Sequence, residues 1–147
     1  MKEHQLINKV FTMKGVIAIV EDDSEISEIL KIWLELQDFH ANILSSGESL
    51  LQAIDQVNGG LIMRMDKTHP LSLPLLGSVL DINLPGVTGV ELACHLRSLA
   101  PELPMVMITA ISDEERIRLG DLPVGIQCVK KPFDLDTLAA ALFPHQH

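Results

Sequence analysis

The sequence predicts an α/β fold in which a doubly wound sheet of five parallel strands lies between two layers of helices. Short, continuously apolar runs recur along the chain, and segments with the 3.6-residue spacing of amphipathic helices separate them. Apolar runs without alternation are typical of strands that are buried on both faces, as in a parallel sheet. Right-handed crossovers between such strands place helices on both sides and give a three-layer α/β/α sandwich.

The first half of the chain contains two predicted strands and two predicted helices. Side chains that accept hydrogen bonds from the free N–H groups at a helix start indicate where each helix begins. Asn58-Gly59-Gly60 favours the end of the second helix. The elements are, in order, a strand at 16–20, a helix from Asp23 or Ser24 to about residue 37, a strand at 41–44, and a helix capped by Ser46 that carries Leu50, Leu51, Ile54 and Val57.

The second half continues the alternation of strand and helix. Pro85-Gly86 forces a turn after the third strand. The acidic run Asp113-Glu114-Glu115 suits the positive end of a helix dipole. The elements are a strand at Val79-Leu80, a helix carrying Val90 and Leu99 that ends before Pro101, a strand after Pro104, a helix starting at Ser112, a strand after Gly125 and a last helix from Asp134.

We expect residues 1–14 to be an N-terminal extension and residues 15–147 to form one domain. An insertion of about 59–78 separates the second helix from the third strand. It contains Leu61-Ile62-Met63 and an apolar run at 71–76, too apolar for a free loop, so we expect it to pack on the domain or on a partner. Alternatively, it is a lengthened strand with a pinned turn and no special role.

Composition excludes several classes of function. The formal charge of -9, from 20 acidic and 11 basic residues, argues against direct binding to nucleic acid or an anionic membrane. Only 3% of the residues are aromatic, so a stacking surface for single strands is not expected. Cys94 and Cys128 are isolated thiols that fit a reducing compartment, and no apolar stretch is long enough to span a bilayer. We therefore expect a cytoplasmic protein.

Polar residues stand at or just after the ends of four apolar runs. Because parallel strands end at one edge of the sheet, these side chains are expected to meet in the crevice outside it. Carboxylate oxygens suit Mg²⁺, and a lysine and a threonine offer donors to phosphoryl oxygens. The sequence therefore predicts a site for a divalent cation and a phosphoryl group. The residues are Glu21, Asp22, Asp81, Thr109 and Lys131.

Four segments resemble the receiver domain of two-component response regulators, and they occur in the order of that family. The resemblance covers roughly residues 14–143. It implies a flavodoxin-like sandwich with strand order 2-1-3-4-5. The matching segments are Val20-Glu21-Asp22-Asp23, Leu80-Asp81-Ile82-Asn83-Leu84-Pro85-Gly86-Val87-Thr88-Gly89, Ile108-Thr109-Ala110 and Lys131-Pro132-Phe133.

The resemblance also implies roles for these residues. Asp81 is expected to accept a phosphoryl group from a histidine kinase or phosphotransfer protein, and Thr109 and Lys131 to bind the phosphate. The expected ligands of Mg²⁺ (or Mn²⁺) are Glu21, Asp22, Asp81 and the backbone carbonyl of Asn83. The domain is expected to be a signalling module rather than an enzyme, with self-phosphorylation from small donors and self-dephosphorylation. A homodimer is expected through the face of the fourth helix, fifth strand and last helix.

Three positions modify these expectations. Cys128 stands where the family usually has an aromatic residue whose rotation couples to the threonine, so the usual aromatic toggle is expected to be missing. Asn83 and Ile111 occupy positions that set the rate of self-dephosphorylation in the family. An apolar Ile111 is expected to hinder entry of water and to make the phosphorylated form long-lived.

Three other interpretations stay open. An aspartate-nucleophile phosphatase of the haloacid dehalogenase type requires a second aspartate where Asn83 stands. A degenerate receiver that only binds proteins is disfavoured by the intact Asp81, Thr109 and Lys131. A flavodoxin-like cofactor binder is disfavoured by Glu21-Asp22-Asp23, which would repel phosphate without a metal.

Overall fold

The structure, a computed structural model, describes residues 14–65 and 71–143. The predicted N-terminal extension therefore lies outside the described residues except for Lys14. The described elements are β1 (Val16–Val20), α1 (Ser24–Leu36), β2 (His40–Leu44), α2 (Gly47–Ala53), β3 (Ile54–Val57), β4 (Gly60–Arg64), β5 (Ser72–Asp81), α3 (Gly89–Leu99), β6 (Met105–Thr109), α4 (Asp113–Arg118), β7 (Gln127–Lys130) and α5 (Leu135–Leu142).

The central sheet contains five parallel strands in the order β2-β1-β5-β6-β7. Counting only these strands along the chain, the order is 2-1-3-4-5, so the predicted doubly wound fold is confirmed. Apolar side chains of α2 and α3, such as Leu50 and Leu92, pack on one face of the sheet. Those of α1 and α5, such as Leu30 and Leu138, pack on the other. The carboxyl ends of the parallel strands consequently lie at one edge.

Each helix begins at a residue whose side chain accepts a hydrogen bond from the first turn. Asp23, rather than Ser24, caps α1 by accepting from the N–H groups of Glu25 and Ile26. The other caps are Ser46 for α2, Thr88 for α3, Ser112 for α4 and Asp134 for α5. The predicted starts at Ser46, Ser112 and Asp134 are therefore confirmed.

The second helix is shorter than the sequence predicts. It ends at Ala53, and the next four residues form β3, which pairs antiparallel with β4. Ile54 and Val57 fit helical spacing, but they are β-branched and fit a strand equally well. Asn58 and Gly59 have φ of 50° and 83°, the positive values that a two-residue hairpin turn requires. This Asn-Gly pair is a hairpin turn, and the prediction of a helix stop there was wrong.

The described part of the predicted insertion packs on its own domain through a β-hairpin. Its first strand, β3, begins before residue 59, and its second, β4, pairs antiparallel with the amino half of β5. Leu61 and Met63 are buried in the core beneath α2 and α3. β5 is also a lengthened strand, because its carboxyl half continues as the parallel neighbour of β1 and β6.

Polar contacts attach the hairpin to both neighbouring helices. The Arg64 guanidinium donates to the Asp55 carboxylate and to the carbonyl of Gln52 in α2. The Gln56 amide donates to the carbonyl of Leu99 at the end of α3, at 3.0 Å. The hairpin therefore closes the end of the domain opposite Asp81. Within 14–65 and 71–143, no helix has the length and apolar character that crossing a membrane requires.

Replacing Met63 by alanine tests whether the hairpin belongs to the core. The Met63 side chain is fully buried, so Met63→Ala should lower the free energy of unfolding by about 2–5 kcal/mol. Ile62→Ala, at the neighbouring half-buried position on the opposite face of β4, should cost less than half as much. Urea denaturation followed by circular dichroism measures both values. Equal losses of stability in the two variants would contradict the burial of Met63 in the core.

Candidate functional site

The predicted site residues lie at the carboxyl edge of the sheet, at or beside the ends of four adjacent strands. Asp81 is the last residue of β5, and Glu21 and Asp22 directly follow β1. Thr109 ends β6, and Lys131 directly follows β7. Because β1, β5, β6 and β7 are neighbours in this order, residues that are far apart in the chain come together here.

Three carboxylates form a compact cluster at this edge. Glu21, Asp22 and Asp81 each offer an oxygen, and these oxygens lie within 4.8 Å of one another. Glu21 and Asp81 are only 2% and 6% exposed, whereas Asp22 is open to solvent. Hard oxygen donors at this spacing, with one side open to water, fit Mg²⁺, which binds carboxylates and retains several waters. The residues present therefore suit the metal that the sequence predicts.

The ammonium group of Lys131 lies against two of these carboxylates. Its Nζ donates to Glu21 Oε1 at 3.0 Å and to Oε2 at 3.1 Å, and it lies 3.5 Å from Asp81 Oδ2. The Lys131 side chain is 17% exposed, so the pair is largely shielded from water. The lysine that was predicted to face a phosphoryl group is thus held between Glu21 and Asp81.

The charges of the pocket shift the pKa values of its groups. Burial raises the pKa of Glu21 to about 7, against the lowering effect of the Lys131 hydrogen bond, and the negative charge of Asp81 adds to the increase. Burial by itself lowers the pKa of Lys131, but its hydrogen bond to Glu21 and the charge of Asp81 outweigh burial and raise it overall. Because one ammonium serves several carboxylates, the pocket keeps excess negative charge, which favours binding of a cation.

Thr109 is engaged by the loop that follows it. The side chain is 1% exposed, and its Oγ1 accepts a hydrogen bond from the Ile111 N–H at 2.9 Å. The backbone N–H of Lys131 donates to the Thr109 carbonyl at 2.7 Å, so the ends of β6 and β7 are joined beside the pocket. In this structure the Thr109 hydroxyl therefore stabilises the start of the loop between β6 and α4.

A cavity of about 340 Å³ lies beside Thr109, between α4 and β7. Ile111 and Cys128 line it, and both are half-buried. Burial raises the pKa of the Cys128 thiol, which favours the neutral form. The small thiol at this position packs against the core on one side and borders the cavity on the other.

The loop between β5 and α3 is held close to Asp81. The Asn83 N–H donates to Asp81 Oδ1 at 3.2 Å, and the Gly89 N–H donates to the Ile82 carbonyl at 3.2 Å. A Cβ on Gly89 would lie 2.4 Å from the Asp81 carbonyl oxygen, so α3 begins this close to β5 only because residue 89 is glycine. Gly89 closes the motif that begins at Leu80, but the sequence alone indicates no role for it.

The direct pairing of Lys131 with Glu21 is not predicted from the sequence either. These residues are 110 positions apart, and their separate motifs carry no signal that one donates to the other. The registers of β1 against β5, β5 against β6 and β6 against β7 together place the two strand ends within reach.

Fold and pocket together define a class: a doubly wound α/β domain with an acidic crevice at its carboxyl edge. The family model described as the response regulator receiver domain matches residues 77–143, which include Asp81, Thr109 and Lys131. The uncharacterized transcriptional regulatory protein YkoG of Bacillus subtilis is 28% identical over 130 residues, covering 88% of this chain and 50% of YkoG.

Two further comparisons agree. The DNA-binding response regulator MtrA of Mycolicibacterium smegmatis is 28% identical, covering 88% of this chain and 49% of MtrA. The non-phosphorylated HemR receiver domain from Leptospira biflexa has 25% identity and a TM-score of 0.62, covering 88% of this chain and 91% of that one. Over the residues that these comparisons cover, this chain is similar in sequence and in fold to response regulators and their receiver domains. It spans about half the length of the curated relatives it matches.

The raised pKa of Glu21 predicts a pH-dependent stability of the metal-free protein. This pKa is about 7 in the folded chain against an ordinary value of 4.5, so between these pH values the folded state binds more protons than the unfolded state. The free energy of unfolding should therefore fall, relative to that of Glu21→Gln, as the pH rises from about 4.5 to about 7.

Urea denaturation in the presence of EDTA, repeated across this pH range, measures the difference between the two proteins. Glu25→Gln, which removes an exposed carboxylate from the first turn of α1, is the control for the loss of an acidic group. A difference between wild type and Glu21→Gln that does not change with pH would contradict the assignment.

Proposed function

We propose that this chain is a receiver domain that accepts a phosphoryl group on Asp81 from a histidine kinase or phosphotransfer protein and thereby changes its binding to partners. The observation that carries the proposal is the placement of Asp81 in a pocket shared with two further carboxylates and the Lys131 ammonium, whose Nζ lies 3.5 Å from Asp81 Oδ2. Asp81 is buried, but its pocket opens to solvent at Asp22.

In the transfer step, a carboxylate oxygen of Asp81 attacks the phosphorus atom of the donor. A bond between that oxygen and phosphorus forms as the bond to the donor atom breaks, and the electron pair leaves with the donor. The product is an acyl phosphate on Asp81. Lys131 holds positive charge next to the incoming phosphoryl oxygens, so catalysis consists mostly of positioning and charge neutralisation.

The metal ligands in this proposal are Glu21, Asp22, Asp81 and the backbone carbonyl of Asn83. Bound Mg²⁺ supplies the positive charge that offsets the repulsion between the carboxylates and a negatively charged donor. The buried Glu21 carboxylate forms an ion pair with Lys131. This pairing keeps the ammonium at the pocket when no phosphoryl group is bound.

The switch in this proposal depends on Thr109. A phosphoryl group on Asp81 brings close to two negative charges and three acceptor oxygens to the strand end. The Thr109 hydroxyl turns from the Ile111 N–H to the new anion, and the loop between β6 and α4 follows. None of the α4 residues is buried, so little core packing opposes its movement.

We propose that the face of α4, β7 and α5 transmits the change, through a partner or a homodimer. Ile117 and Val124 are 67% and 94% exposed near this face, an amount of apolar surface that association would cover. MtrA is described as a DNA-binding regulator, but the formal charge of -9 of this chain makes direct binding of nucleic acid by the receiver domain unfavourable.

Replacing Asp81 by asparagine tests the phosphoacceptor. Asp81→Asn should abolish labelling by acetyl phosphate in the presence of Mg²⁺, because the amide is not a nucleophile for this transfer. Asp121→Asn, at an exposed loop position, is the matched control and should be labelled like the wild type. Phosphate incorporation is measured by intact-protein mass spectrometry, and retained labelling of Asp81→Asn would refute the assignment.

Replacing Ile111 by glutamate tests the lifetime of the phosphorylated form. Ile111 is half-buried beside Thr109, and a carboxylate there can orient a water molecule, so Ile111→Glu should lose phosphate about tenfold faster, a barrier change of about 1.4 kcal/mol. Ile111→Val keeps the position apolar and should decay slowly, like the wild type. The decay of the acyl phosphate after removal of acetyl phosphate measures the rates, and an unchanged or slower decay in Ile111→Glu would defeat the idea.

A further inference from the structure

The loop that follows Asp81 is held by a residue from a different part of the chain. Glu48, in the first turn of α2, accepts a hydrogen bond from the backbone N–H of Val87 at 2.9 Å. The two residues are 39 positions apart. The loop between β5 and α3 is therefore fixed by α2 as well as by its own sheet.

Close packing accompanies this hydrogen bond. A Cβ on Gly47 would lie 3.4 Å from the Val87 side chain, so the start of α2 is already in contact with the loop. A Cβ on Gly86 would lie 2.4 Å from Glu48 Oε1. The carboxylate of Glu48 therefore occupies space that is available only because residue 86 has no side chain. Gly86 also has φ of 74°, a conformation that glycine adopts without strain.

The charge of Glu48 suits this contact. The hydrogen bond from the Val87 N–H holds the pKa of Glu48 below its ordinary value, so the group is a carboxylate at neutral pH. Hydrogen bonds from a backbone N–H to an ionised acceptor are stronger than those between neutral groups. The contact can therefore order the loop although Glu48 is exposed.

The same loop contacts the reacting carboxylate at its other end. The Asn83 N–H donates to Asp81 Oδ1 at 3.2 Å, and the Gly89 N–H donates to the Ile82 carbonyl at 3.2 Å. These bonds hold the loop near both of its ends. Glu48 adds a third contact at Val87, two residues before α3 begins.

We propose that Glu48 is a positioning residue for this loop: it sets the place of the Asn83 backbone beside Asp81 and thereby the affinity of the pocket for a divalent cation. The inference rests on the proposed function, in which the Asn83 carbonyl is a metal ligand. Glu48 acts through the loop and touches neither the metal nor the phosphoryl group.

Titration of the full chain with Mg²⁺ by isothermal calorimetry tests the role of Glu48. Glu48→Ala should weaken Mg²⁺ binding about fivefold, the size expected for one net hydrogen bond of about 1 kcal/mol. Glu48→Gln keeps an acceptor oxygen and should stay within about twofold of the wild type. Glu25→Ala removes an exposed carboxylate from the start of α1 and should also stay near the wild type.

These variants separate positioning from general electrostatics. If Glu48 acted only through its negative charge, Glu48→Gln would bind Mg²⁺ as weakly as Glu48→Ala, and that result would overturn the proposal. If it only stabilised the fold, Glu48→Ala would lower the free energy of unfolding of the metal-free protein and leave the Mg²⁺ affinity unchanged, which would also overturn it.

A double mutation tests the route of the effect. Gly86→Ala places a methyl group where the Glu48 carboxylate lies, and it strains the backbone. The strain is the same whether residue 48 is glutamate or alanine, but the collision exists only with glutamate. Gly86→Ala should therefore weaken Mg²⁺ binding more in the wild type than in Glu48→Ala, and equal losses in the two backgrounds would overturn the proposed route.

The wild type distinguishes failure of this inference from failure of the proposed function. A wild-type chain that binds neither Mg²⁺ nor beryllofluoride would remove the proposed function, and the inference with it. A wild type that binds both, with the same affinity in Glu48→Ala, would overturn the role of Glu48 alone.

Discussion

The contact of one lysine with two buried carboxylates holds the functional edge of this domain together. The Lys131 ammonium donates to Glu21 at 3.0 Å and lies 3.5 Å from Asp81, so it joins the ends of β1, β5 and β7. Removing two carboxylates from water is costly, and one ammonium offsets only part of that cost. The remaining negative charge favours a cation in the same pocket, so the structural contact and the proposed chemistry have one electrostatic origin.

The opposite end of the domain is built differently. β5 extends beyond its parallel neighbours, and its amino half carries the hairpin of β3 and β4. Met63 inserts a fully buried side chain beneath the helices on that face. The hairpin therefore adds buried side chains to the core at the amino end of β5, away from the edge at which Asp81 lies. A long strand permits this arrangement because its two halves pair with different neighbours.

Much of the fold was predictable from local pattern. The apolar runs at β1 and β6 and the caps Ser112 and Asp134 identify their elements directly, because buried strands and helix starts have local requirements. The segment from Ile54 to Val57 was assigned wrongly for the same reason. Its spacing satisfies a helix and a strand alike, and only pairing with β4 selects the strand.

By itself, the sequence determined which chemical groups stand at the strand ends: the acids Glu21, Asp22 and Asp81, the hydroxyl of Thr109 and the amine of Lys131. It also determined the alternation of strand and helix that brings those ends to one edge. Only the tertiary structure decided which groups touch, as Lys131 touches Glu21 across 110 residues and Glu48 holds Val87 across 39. The physical reason is that local periodicity specifies the direction and burial of each element, whereas contacts between distant residues depend on strand register and on how closely glycines let the elements approach.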